Sequence, residues 1–78
     1  MMLYLELPAL FSDGTHTLKI NPLTVIAYLE QSKESTAIYI PSGIMFIISM
    51  SIKEYEQALS HFFKEANKLN GTKLHKLQ

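Results

Sequence analysis

Apolar and polar positions along the chain change period twice, and the changes divide it into elements. Leu3, Leu5 and Leu7 alternate with Tyr4 and Glu6, the two-residue period of a half-buried strand, which Pro8 is expected to end, with Ala9 to Phe11 continuing the apolar character. Ser12-Asp13-Gly14-Thr15 supplies turn chemistry, and His16, Leu18 and Ile20 then alternate with Thr17 and Lys19. A first hairpin follows from that pattern. Asn21-Pro22 interrupts, because proline has no donor and biases its predecessor away from helix. The β-branched and aromatic run Thr24 to Glu30 predicts a third strand, closed by the polar loop Gln31 to Ser35. Thr36 to Ile40 and Ile44 to Met50 predict two more strands around the tight turn Pro41-Ser42-Gly43.

From Ser51 the period becomes helical. Ser51 and Glu54 have the spacing of a capping box, and Met50 and Tyr55 that of a hydrophobic staple. Ile52, Tyr55, Leu59, Phe62, Phe63, Ala66 and Leu69 recur every three or four residues as one apolar stripe, with Lys53, Glu56, Gln57, Ser60, Lys64, Glu65 and Lys68 opposite. Acidic side chains near its start and lysines near its end complement the helix dipole. Asn70-Gly71 predicts the stop, leaving residues 71–78 as a flexible basic tail. The expected architecture is α+β: one domain over residues 1–70, a twisted antiparallel sheet of four or five strands, meander or half-barrel, with one long C-terminal amphipathic helix.

One helix covers one face of a sheet, yet the strands are apolar on both. In the fifth, Ile44, Phe46, Ile48 and Met50 point one way and Met45 and Ile47 the other. In the third, Val25, Ala27 and Leu29 oppose Ile26 and Tyr28, and Tyr39 adds an aromatic on the second face of the fourth. An uncovered apolar face marks an interface. Three outcomes meet the pattern: a second copy stacks on that face, another protein does, or the sheet coils into a half-barrel that buries both surfaces. The face residues expected at the interface are Tyr28, Tyr39, Met45 and Ile47.

Composition narrows the chemistry. The chain has 78 residues, 47% of them apolar, so it builds one small core that gains from self-association. Cysteine is absent, which removes disulfides, thiolate metal sites and thiol nucleophiles. Asp13 is the only aspartate and sits in a glycine turn. His61 and Glu65 lie one helical turn apart without an evident third ligand, and no phosphate loop, nucleophile elbow or paired carboxylates occur. A non-enzymatic protein without cofactor, metal or small-molecule substrate is expected. No run approaches the ~20 residues of a spanning helix, no secretory leader pattern opens the chain, and a cytoplasmic location is expected. The formal net charge is zero and arginine is missing, which weighs against nucleic acid. Lys64, Lys68, Lys73 and Lys76 nevertheless form a modest basic strip on helix and tail, and a nucleic-acid-binding regulator is the alternative to a homodimeric or accessory interaction module.

The stretch Ile20-Asn21-Pro22 through Val25-Ile26-Ala27-Tyr28-Leu29-Glu30, then Thr36 to Ile40, a glycine turn, an apolar strand and Ser51-Ile52-Lys53-Glu54-Tyr55, resembles the small FlbD-like swarming-motility proteins of bacteria over almost the whole chain. The strand–turn–strand–Ser-capped-helix rhythm is also similar to part of LytTR DNA-binding domains. The chain departs from the first pattern at Pro41-Ser42-Gly43-Ile44-Met45-Phe46, where that family carries a basic, polar turn, and it lacks the basic loops of the second. The resemblance implies a small sheet-plus-helix interaction protein and carries over no functional residue.

Overall fold

In the computed structural model, which describes residues 4–66, five strands and one helix follow in the order β1 (Leu5–Phe11), β2 (Gly14–Ile20), β3 (Ala27–Ser32), β4 (Ser35–Tyr39), β5 (Met45–Ile48) and α1 (Ile52–Leu77). The last turns of α1, the stop expected at Asn70-Gly71 and the tail 71–78 lie outside the described residues. All neighbouring strands are antiparallel, in the order β2-β1-β5-β4-β3, so the chain forms an α+β fold with an open five-stranded sheet. Both expected hairpins are present. The order is not a simple meander, because β1 pairs with β5 and leaves β2 and β3 at the two edges.

Pro8 does not end β1, as the alternation suggested; the strand runs through it to Phe11, paired with β2 along its whole length. What Pro8 limits is the other ladder. β1 meets β5 at Ala9–Ile48 and Leu10–Ile47, and the next step keeps only the bond from the Ser49 amide to the Pro8 carbonyl, at 2.7 Å. The return bond needs an N–H that proline lacks. There β5 peels away into α1.

The third strand begins later than expected. Pro22–Thr24 form a single 3₁₀ turn capped by the Asn21 side chain, whose oxygen accepts from the Leu23 amide at 2.9 Å. This link joins opposite edges of the sheet. On a flat sheet the ends of β2 and β3 would lie roughly 30 Å apart, given strand spacing and rise. Residues 21–26 reach at most about 25 Å even fully extended. The sheet is therefore strongly twisted, with those two corners bent toward the helix, where Pro22 is buried and Val25 packs on the core.

The core lies between one sheet face and α1. Leu5, Leu7 and Ala9 from β1, Ile20, Ile38 and Ile48 meet Tyr55 and Phe62 of the helix. The buried Thr36 hydroxyl donates to the Met50 carbonyl at 3.0 Å, tying β4 to the entry of α1. The capping box forms as the sequence predicts: the Ser51 amide donates to Glu54 Oε1 at 2.9 Å and the Glu54 amide to Ser51 Oγ at 3.1 Å. Met50 packs against the cluster containing Tyr55, as a staple should. Phe63, assigned to the buried stripe by spacing, is 39% exposed and lines a groove together with Leu23 and Val25 of the link.

Candidate interface on the open sheet face

Register decides which side chains share the face that α1 leaves open. Alternation places Ile48 and Phe46 toward the helix with Ala9, Thr36 and Ile38, and therefore Ile47 and Met45 away from it. Leu10, Ile47, Ala37 and Leu29 are consecutive cross-strand partners, so they form one apolar row over β1, β5, β4 and β3. A second row holds Met45, Tyr39 and Ala27. Leu10, Leu29 and Met45 are 45%, 49% and 46% exposed, while Ala37 at 2% is the low point between taller neighbours.

Tyr39, Met45 and Ile47 thus occupy the open face, as expected from the sequence. Tyr28 does not. It pairs with Ile38 and so faces α1, where its ring meets Tyr55 edge to face at 5.0 Å and its hydroxyl donates to Glu56 Oε2 at 3.1 Å. Alternation alone showed that Tyr28 opposes Ala27 and Leu29, but not which of the two sets would align with Met45 and Ile47 across the strands. The register supplies Leu29 and Leu10 in its place. Leu29 is legible as lying on the same side of β3 as Ala27, and Leu10 is hidden by the expectation that β1 stops at Pro8.

The rim of this face is polar and electrically balanced. On β2 it presents Thr15, Thr17 and Lys19, and Glu6 of β1 is the direct partner of Lys19. Among the described strand residues of this face those two are the only charges. Lys19 Nζ also stands 5.6 Å from the Tyr4 ring centroid. The opposite side of the molecule carries the shifted groups. Burial pushes the Tyr55 phenol up to about 12, and the hydrogen bond to Glu56, with burial adding, raises that of Tyr28. Hydrogen bonds from Ser51 hold the Glu54 carboxyl below its ordinary value.

Two smaller features stand apart. At the β1–β2 turn, His16 Nε2 lies 2.8 Å from Asp13 Oδ1, and the imidazole meets the Phe11 ring edge to face at 5.4 Å. A groove between the link and α1 is lined by Pro22, Leu23, Val25, Tyr28, Tyr55, Leu59 and Phe63. Among the described residues no group of three metal-ligating side chains converges, and no helix is long and apolar enough to cross a membrane. Lys64 is exposed on α1, whereas Lys68, Lys73 and Lys76 lie outside the described residues. Comparison with protein-family models, curated proteins and solved structures finds no match for this chain.

Proposed function

We propose that this protein is a non-enzymatic interaction module that works as a homodimer, with the open sheet face as its docking surface. One observation carries the reading: the row Leu10, Ile47, Ala37 and Leu29, flanked by Tyr39 and Met45, is apolar across four strands and nothing in the described chain covers it. Contiguous apolar surface of this kind marks an interface rather than a solvated face. Charge is compatible with a second copy as the occupant. The only strand charges on the face, Glu6 and Lys19, oppose each other in register, so two copies meet without net repulsion. The module class is also what the resemblance to the swarming-motility family implies. A cytoplasmic setting, with regulatory or accessory work through the dimer, completes the proposal and agrees with a chain that has no cysteine.

Light scattering across a dilution series tests the reading. Twice the 8.9 kDa chain mass is expected at micromolar concentration, and a monomer at every concentration overturns it. Ile47→Lys places a charge at the centre of the row and is expected to weaken the dimer on the order of 30-fold or more, the scale of a central interface position. Met45→Lys, at an exposed position, tests the same surface without risk to the core. A dimer that keeps its affinity in both variants places the interface elsewhere.

A further inference from the structure

Resting on the dimer proposed above, we infer how the two copies are arranged: their sheets stack face to face about a two-fold axis that runs along the strands, between β4 and β5. The apolar part of the open face spans β1, β5, β4 and β3, whereas β2 presents threonines and Lys19. Its midline is therefore the β5–β4 boundary, and an isologous contact that buries all of it puts the axis there.

Shape allows two directions for that axis. A twisted sheet is a saddle, and a saddle fits its own copy when turned over about an in-plane axis lying either along or across the strands. The side chains choose between them. With the axis across the strands, on the row itself, each residue meets its own mate. Ala37 then faces Ala37 over a void, while Ile47 collides with Ile47. With the axis along the strands, the row folds onto itself in reverse: Ile47 of one copy sits over the recessed Ala37 of the other, and Leu10 over Leu29. The Met45–Tyr39 step repeats the exchange in the next row. Large against small fills the layer at interior density, and large against large with small against small does not. The result is a four-layer particle with both helices outermost, so that the link–helix grooves open on opposite outer surfaces.

Because the chain has no cysteine, single thiols report the pairing directly. Leu10→Cys and Leu29→Cys are both at exposed positions. Facing sheets lie about 10 Å apart, so a short bis-maleimide, rather than a disulfide, bridges opposed thiols. One variant carries a mass tag, and reaction of each with a mono-maleimide establishes that its thiol is accessible. The mixture of the two variants is expected to yield the mixed Leu10→Cys–Leu29→Cys dimer as the main crosslinked product, and neither variant alone is expected to crosslink appreciably. Efficient self-crosslinking of either variant alone overturns the arrangement in favour of the axis across the strands. Accessible thiols with no crosslink in a particle of dimer mass overturn face-to-face stacking of these rows. A monomer by light scattering instead removes the dimer itself, so the two failures are told apart.

Discussion

At the residue scale, Ser51 and Tyr55 show how few side chains set the geometry of α1. Ser51 closes the cap that starts the helix, and its loss in Ser51→Ala is expected to cost about 1 kcal/mol in a denaturant titration. Glu54 adds a pH dependence whose sign follows from its depressed carboxyl: the contribution is present above the ordinary Glu value and is lost as pH falls through the folded one. Stability curves of the wild type and Glu54→Gln are thus expected to differ at neutral pH and to converge in acid. Tyr55 has the opposite sign. Its phenol is held neutral by burial, with a folded value of about 12 against 10.0 for the free group, so its contribution is complete below pH 10 and declines between 10 and 12. Thermal melts across that window are expected to show an alkaline loss of stability that Tyr55→Phe reduces.

At the element scale, local pattern and local chemistry account for most of what forms. The turn after β4 follows from Gly43, whose φ of +86° lies in the left-handed region open to glycine. Space around it is free, so Gly43→Ala should cost about 1 kcal/mol through backbone strain alone, read as a lower Tm with unchanged association. The strand ends were less legible. Pro8 reads as a terminator when only its missing donor is considered, yet β1 tolerates it at the point where its ladder with β5 stops. That outcome depends on β5, distant in sequence. Thr24 and Val25 read as strand by β propensity, but Asn21 caps a 3₁₀ turn that occupies the span instead.

At the scale of the whole molecule, the unequal treatment of the two sheet faces is the dominant feature. One has Tyr55 and Phe62 over it, and the other carries its apolar rows uncovered. A dimer through the open face links stability to concentration by mass action, so the wild-type Tm is expected to rise as protein concentration increases, and in Ile47→Lys the onset of that rise is expected to move to about 30-fold higher concentration or beyond. Differential scanning calorimetry over a hundredfold concentration range checks this. A concentration dependence in the variant that matches the wild type assigns the association to another surface.

The sequence by itself determined the β-β-β-β-β-α order, the two hairpins, the capped helix and the presence of apolar side chains on both faces of the strands. Each rests on interactions within a few residues: period, turn chemistry and capping. It also determined that Tyr39, Met45 and Ile47 would stand together, since β4 and β5 form a hairpin whose register the short turn sets. Only the tertiary structure decided that β1 joins β5, that Tyr28 turns to the helix, and that Leu10 and Leu29 complete the open row. Strand alternation gives two sets of side chains without saying which set faces the core. That choice is made by pairing between distant segments and by where the single helix packs.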